Sequence, residues 1–484
     1  MSFSEPEGPV GVEDYLASRP PARHEPGALR EIRNRVETDG RRIIVLDDDP
    51  TGTQTVHGVP VLTTWSYSEL RWALEQPSPT VYVLTNSRSL EEDEAAFLNR
   101  QISERLIRAA ADTGTDFVLT SRSDSTLRGH FPAETNVLRE VLEDGGKKID
   151  GVVVCPCFFE AGRVTVDDAQ WVEQEGELTP AARTEFAADS SFGYSHSNLA
   201  NWIEEKAAGE VRAETVLSVG LEDIRRGGPE KVAEVLQQAH EGQPLIVNAA
   251  EYADLEVFVL GLLAAEGSGK TFVYRTGPSF VRARGGIPGR EPLRASDLGV
   301  GSSRGNGLVL VGSHVRQTTR QLEELRDLEG LWFEELFVRR LLEPGEREEE
   351  IRRVVRAVDD GLSESDVVVY TSREVVGSSG GLSGLGIGAN VSDALVEVMR
   401  RVDRGLPLGW VVAKGGITSS DVATKGLNVR RAEVTGQMLP GIISAWILPP
   451  ESDYPGLPYV VFPGNVGGND ALTKVVEKLR GEDP

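Results

Sequence analysis

The stretch IIVLDDDPTGTQ, residues 43–54, joins an apolar run to three carboxylates and a Pro-Thr-Gly turn. An apolar, β-rich run that ends in polar residues and Gly is typical of a buried parallel strand followed by a loop. Four more stretches have this construction: SRSDSTLRG (121–129), LVGSHVRQTTRQ (310–321), AKGGITSSD (413–421) and FPGNVGGND (462–470). In α/β proteins the loops at the carboxyl ends of parallel strands carry the binding and catalytic residues. The sequence therefore predicts an α/β protein whose functional residues lie in these loops.

Apolar runs alternate with helical patterns, such as the pattern over residues 94–114, and predict a mostly parallel, helix-flanked sheet in each half of the chain. Buried strands are expected within residues 59–64, 80–86, 116–121, 149–156, 244–249 and 271–276, and then within 307–313, 367–373, 409–416, 443–448 and 457–464. Because the polar loops form two groups, one in each half, we expect two α/β domains with the active site in the cleft between them.

The domain boundaries follow from length and composition. A chain of 484 residues is too long for one core. Residues 282–307 are rich in Gly, Arg and Ser without periodicity, which is typical of a linker. The expected organisation is an N-terminal extension over residues 1–40, a first domain over 41–284, a linker over 285–306 and a second domain over 307–484.

Charge and cysteine content exclude several functional classes. The formal net charge of -25 argues against non-specific nucleic-acid binding, which needs a basic surface. The two cysteines, Cys155 and Cys157, cannot form a disulfide framework and are a poor zinc site without further ligands. No apolar stretch approaches the length of a membrane span, and the N-terminus lacks the features of a signal peptide. We therefore expect a cytoplasmic protein, and a homodimer is the general expectation for its assembly.

The segment AAEGSGKT, residues 264–271, fits the loose phosphate-binding loop pattern. That mechanism needs a strand before the loop and a helix after it, so that the helix N-terminus faces the phosphate. Here the preceding residues have a helical pattern and the following residues TFVYRT have a strand pattern. We interpret GSGK as the turn that ends a helix.

The acidic run DDDPTG allows three interpretations. A strand that ends in carboxylates can bind Mg²⁺ or hold a catalytic base. Asp47, Asp49 and Thr51 also fit the DxDxT nucleophile motif of haloacid dehalogenase-type phosphatases, although no later Lys and acidic motifs follow in the expected order. The third interpretation is a turn that ends a strand. Adjacent carboxylates repel one another unless a cation or hydrogen-bond donors compensate, which favours a functional site.

The segment SRSDSTLRG combines hydroxyl groups, one carboxylate and two guanidinium groups. Arg122 and Arg128 are candidates for a bidentate clamp on a substrate carboxylate. Asp124 and Ser125 are candidates for binding substrate hydroxyl groups. The alternative interpretation is a helix N-cap followed by a helix that begins near Phe131.

The second half of the chain has glycine-rich turns after strands, in KGGITSSD and PGNVGG, together with GSHVRQTT after another strand. Backbone N–H groups exposed by Gly, with Ser and Thr at helix N-termini, suit phosphate oxygens. None of the three has the GxGxxG spacing of a dinucleotide fold. Together they indicate a nucleotide site.

From about residue 41 to the C-terminus the chain resembles the four-carbon acid sugar kinases, which phosphorylate threonate, erythronate or their oxo forms with ATP. The resemblance is carried by DDxTG at residues 48–52, DSTLRG at 124–129 and the extended stretch over 158–189. FVYRTGPSFVRA (272–283) matches the end of the first domain, and GSHVRQTTRQ, KGGITSSDVA and PGNVGG match the second.

The resemblance implies that the first domain binds the acid sugar, that the second binds ATP, and that Mg²⁺ takes part. Asp48 and Asp49 would orient or deprotonate the attacking hydroxyl, with Arg128 as a further catalytic candidate and Asp48 as a candidate metal ligand. The residues expected to hold the acid sugar are Thr51, Arg122, Asp124, Ser125 and Arg128. The residues expected to line the nucleotide are Ser313, Gly415, Gly416, Thr418, Gly464, Asn465 and Gly467.

Three positions depart from the family pattern. Many relatives carry an acidic residue where Ile417 stands, Gly where Ser420 stands and Lys where Arg122 stands. Arg keeps the charge of Lys but changes its geometry. These departures bear on substrate identity more than on reaction class. They also leave room for a non-catalytic nucleotide- or metabolite-binding regulator, and the phosphatase that uses Asp47 is the other alternative.

Overall fold

The structure is a computed structural model of the chain that describes residues 4–49, 51–300, 305–343, 345–373, 384–440 and 443–482. Pro50 of the DDxTG element and residues 301–304 of the expected linker lie outside the described residues. The chain forms two compact units. The first contains Met1–Thr55 and Thr64–Gly289, and the second contains Val56–Thr63 and Arg290–Pro484.

The strands, in chain order, are β1 (Val10–Gly11), β2 (Arg42–Asp47), β3 (Val59–Leu62), β4 (Thr80–Leu84), β5 (Phe117–Arg122), β6 (Gly151–Cys155), β7 (Arg163–Val166), β8 (Ala169–Gln174), β9 (Glu177–Pro180), β10 (Leu217–Val219), β11 (Gln243–Val247), β12 (Phe272–Thr276), β13 (Asn306–Val311), β14 (Leu331–Leu336), β15 (Asp366–Thr371), β16 (Leu408–Lys414), β17 (Arg431–Leu439), β18 (Ile443–Ile447) and β19 (Pro458–Phe462).

The α-helices are α1 (Val12–Ala17), α2 (Ala28–Asp39), α3 (Tyr67–Glu75), α4 (Glu92–Thr113), α5 (Ala133–Asp144), α6 (Leu199–Lys206), α7 (Gly228–Gln237), α8 (Tyr252–Gly267), α9 (Pro278–Arg284), α10 (Ala295–Leu298), α11 (Arg316–Leu325), α12 (Val338–Leu342), α13 (Arg347–Leu362), α14 (Gly384–Arg401), α15 (Gly416–Asp421) and α16 (Ala471–Arg480).

The main sheet of the first unit is parallel, with strand order β10-β11-β6-β12-β5-β2-β4. Its strands are continuous apolar runs because helices cover both faces, as the burial of every residue from Ile43 to Leu46 illustrates. From β2 the chain passes to β4 on one side, and it then enters β5 on the other side of β2. Such a reversal opens a crevice at the carboxyl ends of the two central strands. The carboxylates after β2 therefore lie at a position where α/β proteins bind ligands.

The first unit also contains a small antiparallel sheet, with order β1-β9-β8-β7, which the sequence analysis did not predict. The two hairpins turn at Asp167-Asp168 and at Glu175-Gly176, and all four residues have positive φ. Two-residue turns of this kind match the twist of paired strands. Glu-Gly between alternating residues was the local signal for the second hairpin.

The N-terminal extension packs on the first unit through α2, which contacts α8. Ala28, Ile32 and Val36 are its buried residues, and their spacing of four places them in one stripe along the helix. In the segment 285–306, which was expected to be a linker, residues 295–298 form the short helix α10.

The second unit repeats the switch-point topology with strand order β3-β17-β18-β19-β16-β13-β15-β14. The five strands from β19 to β14 are parallel, whereas β18, β17 and β3 are antiparallel. The chain leaves β13 toward β14 and β15 on one side and enters β16 on the other, so the crevice opens between β13 and β16. The prediction of two α/β units, each with a mostly parallel, helix-flanked sheet, is confirmed.

Two further sequence interpretations can be compared with the elements. The segment 264–271 joins the end of α8 to the start of β12, so the order is helix then strand and the helix-end interpretation of GSGK is confirmed. Within the described part of the chain, no helix is both long enough and apolar enough to cross a membrane.

Candidate active site

The crevice of the first unit begins with a buried ion pair between the ends of β2 and β5. Asp47 and Arg122 are register partners, and Arg122 Nη1 donates a hydrogen bond of 3.0 Å to Asp47 Oδ1. The Asp47 side chain is fully buried, and its Oδ2 has no hydrogen-bond partner among the described residues. Arg122, which was predicted to clamp a substrate carboxylate, is thus committed to Asp47 and is only 6% exposed.

Asp48 is held by a residue that the sequence analysis did not identify. Arg88, which follows β4, donates from Nε to Asp48 Oδ2 at 3.0 Å and from Nη2 to Asp48 Oδ1. Ser123 Oγ adds a hydrogen bond of 2.7 Å to Asp48 Oδ2. Bidentate Arg–carboxylate pairs are strong and geometrically specific. Asp48 is therefore fixed in place rather than free to bind a ligand.

Asp49 is the most accessible of the three carboxylates. Its side chain is 27% exposed, whereas that of Asp48 is 2% exposed. Asp49 Oδ1 accepts hydrogen bonds from Thr51 N at 2.8 Å and Thr51 Oγ1 at 2.6 Å, and Oδ2 accepts one from Arg88 Nη1 at 3.0 Å. The predicted residues Asp48, Asp49 and Thr51 therefore do lie together, and Arg88 joins the first two.

Burial and neighbouring charges set the protonation of these groups. Burial is the largest cause that raises the pKa of Asp47 to about 7; the charge of Arg122 opposes this shift, and the charges of Asp48 and Asp49 add to it. Burial also raises the pKa of Asp49, but Arg88 and Arg122 outweigh it, so the net shift is downward. Asp49 is therefore ionised near neutral pH, whereas the protonated and the ionised forms of Asp47 are both populated there.

The loop after β5 carries the other predicted substrate residues. Arg128 Nε donates to Asp124 Oδ2 at 2.7 Å, and Arg128 Nη1 lies 3.6 Å from Asp189 Oδ2. Ser125 is buried, and its carbonyl oxygen accepts a hydrogen bond of 2.8 Å from Gln170 Nε2. Gly129 has φ +117°, and a Cβ there would lie 2.4 Å from Ser123 Oγ. The close approach that Gly129 permits keeps Ser123 on Asp48.

Arg275, near the end of β12, is a second residue that the sequence analysis missed. It is 1% exposed, and its Nε and Nη1 have no hydrogen-bond partner among the described residues. Its Nη2 donates to Arg128 O at 3.1 Å. Burial lowers the pKa of Arg275 to about 10, while Asp124 and Asp48 act in the opposite direction. A lone basic residue inside TFVYRT gave no pattern that would have identified it.

The residues of this crevice do not fit a protein-held metal ion. No group of three or more His, Cys, Asp or Glu side chains in the described part of the chain is arranged to hold one. Both oxygens of Asp48, the predicted ligand, already accept hydrogen bonds from Arg88.

The crevice of the second unit is built from hydroxyl groups and glycines. Thr318 Oγ1 donates to Gly464 O at 2.8 Å and lies 3.0 Å from Ser313 Oγ. Gly415 has φ +122°, and a Cβ there would lie 3.2 Å from Thr418 Oγ1 and 3.3 Å from Ser313. The predicted residues Ser313, Gly415, Thr418 and Gly464 are therefore neighbours.

The remaining predicted residues of this crevice lie at its edges. Gly416 is the first residue of α15 and is half-buried. Asn465 is exposed, and Gly467 O accepts a hydrogen bond of 2.9 Å from Gln317 Nε2. The exposed Ile417 lies in the first turn of α15.

Comparisons with known proteins agree with this two-part arrangement. A family model described as a sugar-binding N-terminal domain matches residues 43–284, and one described as a nucleotide-binding C-terminal domain matches residues 308–472. The chain is 26% identical over 465 residues to a D-erythronate kinase of Heliobacterium modesticaldum, which covers 90% of this chain and 97% of the relative.

Two further similarities are shorter or more distant. The chain is 29% identical over 220 residues to a 3-oxo-isoapionate kinase of Paraburkholderia graminis, covering 43% of this chain and 44% of the relative. The crystal structure of a Haemophilus influenzae protein has the same fold, with a TM-score of 0.62 at 16% identity over 90% of this chain and 99% of that one.

Proposed function

The chain belongs to the four-carbon acid sugar kinase family, and we propose that it transfers the γ-phosphoryl group of ATP to a hydroxyl group of a four-carbon acid sugar. The first unit would bind the acid sugar and the second the nucleotide. D-Erythronate is the first substrate to test, since a relative aligned over 90% of the chain is named for it. Threonate and 3-oxo-tetronate are the next, and the 4-hydroxyl is the expected acceptor.

One observation supports the acceptor site above all others. Of three consecutive carboxylates at the switch point, Asp47 and Asp48 are buried in ion pairs, and Asp49 keeps 27% of its side chain exposed. A group that orients a substrate hydroxyl must be accessible and must be held in place. Asp49 meets both conditions, because its side chain is partly exposed and because Thr51 and Arg88 fix its two oxygens.

The ionisation of Asp49 defines its proposed role. A carboxylate with a lowered pKa is a weak base but a good hydrogen-bond acceptor. Phosphoryl transfer passes through a loose transition state, in which positioning contributes more than proton abstraction. We therefore assign Asp49 to orienting the attacking hydroxyl, and Arg88 and Asp48 to holding Asp49 in position.

Arg128 is the proposed contact for the substrate carboxylate. It is 26% exposed and donates to Asp124 from Nε. Arg275, which is 1% exposed, supports the Arg128 loop from behind by donating from Nη2 to Arg128 O at 3.1 Å. Guanidinium groups suit carboxylates because both are planar and pair through two hydrogen bonds.

The nucleotide site is proposed at the crevice between β13 and β16. Ser313 and Thr418 supply hydroxyl groups there, and Gly415 and Gly464 allow the backbone to approach closely. Backbone N–H groups in such turns suit phosphate oxygens.

The phosphatase alternative has no support at Asp47. A nucleophile must reach the phosphate ester that it attacks, and Asp47 is 0% exposed and paired with Arg122. No observation favours that alternative over the kinase.

Coupled measurement of ADP release tests the proposed function with Mg²⁺ and ATP against D- and L-erythronate, D- and L-threonate and their 3-oxo forms. We expect release that depends on one of these acids. Asp49→Asn should lower kcat by about a hundredfold or more, because it removes the charge that orients the hydroxyl. The matched control is Asp112→Asn on α4, whose carboxylate bonds only to surface Tyr67 among the hydrogen bonds described. ADP release that is independent of every acid would contradict the proposal.

A further inference from the structure

Lys414, the last residue of β16, is a buried cation without a counter-ion. Its side chain is 0% exposed, and no carboxylate in the described part of the chain forms an ion pair with it. Its Nζ donates to Pro463 O at 3.1 Å and to Gly464 O at 3.5 Å, and lies 3.8 Å from the centroid of the Phe462 ring. Burying an ammonium group with only neutral partners is costly. A binding partner that supplies negative charge would offset this cost.

The charged and titratable groups on the neighbouring elements either have partners of their own or are exposed. Asp421 at the end of α15 bonds Ser392 at 2.6 Å and Lys425 at 2.9 Å. Asp470 before α16 pairs with Lys474. The remaining groups nearby are Tyr459, whose hydroxyl donates to Ser419 O at 2.6 Å; Arg373, which donates to Ser313 O at 2.8 Å; and His314 and Arg316, which are exposed. Burial is accordingly the cause that lowers the pKa of Lys414 from 10.5 to about 7.

The ammonium group also fixes the orientation of the turn after β19. Lys414 donates hydrogen bonds to the carbonyl groups of Pro463 and Gly464. Thr318 on α11 also donates, from Oγ1, to the carbonyl oxygen of Gly464 at 2.8 Å. In a trans peptide the N–H group points opposite to the C=O group. The N–H groups of Gly464 and Asn465 therefore point away from the ammonium. Successive N–H groups that point the same way form the kind of concavity that binds anions.

We propose that Lys414 is a positioning residue whose buried ammonium holds the Pro463–Gly464 turn and takes its counter-charge from the phosphates of a nucleoside triphosphate bound at that turn. Its role rests on the proposed function in one respect, namely that the second unit binds the nucleotide. Phosphate near the turn favours the charged form of Lys414, so nucleotide binding is coupled to proton uptake. By linkage, the same coupling makes nucleotide affinity fall as pH rises through 7, because the neutral amine offers no charge.

Titration calorimetry with the non-hydrolysable analogue AMP-PNP and Mg²⁺, without any acid sugar, measures this coupling. At pH 7.5, in buffers of different ionisation enthalpy, the wild type should take up roughly half a proton or more for each nucleotide bound. If bound phosphate raises the pKa of Lys414 by about one unit, the affinity should fall about sixfold between pH 6.5 and pH 8.5, toward a tenfold limit.

The variant Lys414→Met keeps an unbranched side chain one atom shorter and removes the charge. It should lose the proton uptake and the pH dependence, and bind AMP-PNP about tenfold more weakly at pH 6.5. Lys425→Met is the matched control, because Lys425 is 54% exposed and pairs with Asp421. It should retain the wild-type proton uptake and affinity.

The outcomes separate this proposal from the proposed function. Nucleotide binding without proton uptake in the wild type overturns the role of Lys414 and leaves the nucleotide site intact. Unchanged uptake in Lys414→Met has the same meaning. If Lys414→Met does not fold, the wild-type titration alone decides. Absence of nucleotide binding at every pH overturns both proposals.

Discussion

The crevices of the two units share a topology but differ in whether their buried charged side chains have partners of opposite charge. In the first, Asp47, Asp48 and Asp49 each pair with Arg88 or Arg122, so the charges compensate one another. In the second, the ammonium of Lys414 has only carbonyl groups and an aromatic ring as partners among the described residues. The topological switch point determines where a ligand binds, and the residues at the strand ends determine which charge it carries. Under the proposed function, the acid sugar would meet a pre-built ionic cluster in the first crevice, whereas the triphosphate would meet donors that have no competing carboxylates among the described residues.

Removing Arg88 should have the largest effect, because it breaks the compensation in the first crevice. Arg88→Met leaves Asp48 buried without its cation and leaves Asp49 free to move. Loss of one partner of a buried pair typically costs about 3–5 kcal/mol of the free energy of unfolding. Thermal and urea unfolding measure this loss.

A surface pair provides the control for Arg88. Arg100 and Glu140 form an ion pair whose side chains are 35% and 52% exposed. Arg100→Met should cost less than about 1 kcal/mol, since exposed pairs are screened by water. Equal losses in the two variants would mean that the first crevice is not the compensated cluster that we describe.

Arg88 also illustrates what the sequence could predict and what it could not. Buried parallel strands such as β2 are continuous apolar runs, so their positions were predictable. In β17 buried residues alternate with half-buried ones and with the exposed Glu433, so the strand is not a continuous apolar run and was not predicted. The three carboxylates after β2 form a pattern of their own. Arg88 and Lys414 are single cations in the sequence and form no pattern. Their partners become apparent only in the fold, where β4 lies beside β2 and β19 lies beside β16.

The raised pKa of Asp47 should give the first crevice a characteristic pH dependence. Its pKa is 3.8 in the unfolded chain and about 7 in the fold, so the folded state binds the extra proton between these values. The stability that this proton contributes is complete below pH 4 and is lost as pH rises to 7. Asp47→Asn, which mimics the neutral acid, should remove about 2 kcal/mol of the decline between pH 5 and pH 7.

Urea unfolding at pH 5, 6 and 7 compares the wild type with this variant. Lys414 in the second crevice shifts in the opposite direction, so its contribution changes above pH 7 and does not obscure the comparison. Parallel pH profiles for the wild type and Asp47→Asn would show that Asp47 is ionised throughout this range and would contradict its raised pKa.

The smallest effect is expected outside both crevices, at the segment that fits the phosphate-binding pattern. Lys270 Nζ donates to Ala239 O at 2.6 Å and lies 3.4 Å from Asp150 Oδ1, so its role is structural. Lys270→Met should cost about 1 kcal/mol of stability and leave the KM for ATP unchanged. Steady-state kinetics with varied ATP test this. A large rise in the KM for ATP would contradict the assignment of the nucleotide site to the crevice between β13 and β16.

The phosphorylated product itself provides the sharpest test of the proposed reaction, through ³¹P NMR of the products formed from ATP, Mg²⁺ and D-erythronate. Transfer to the 4-hydroxyl predicts ADP and a new phosphomonoester resonance that is split into a triplet by the two protons on C4. A doublet would place the phosphate on a secondary hydroxyl and contradict the assigned acceptor. If ADP appeared with inorganic phosphate alone, for this acid and for the other tetronates, the protein would be hydrolysing ATP and the proposed kinase activity would be wrong.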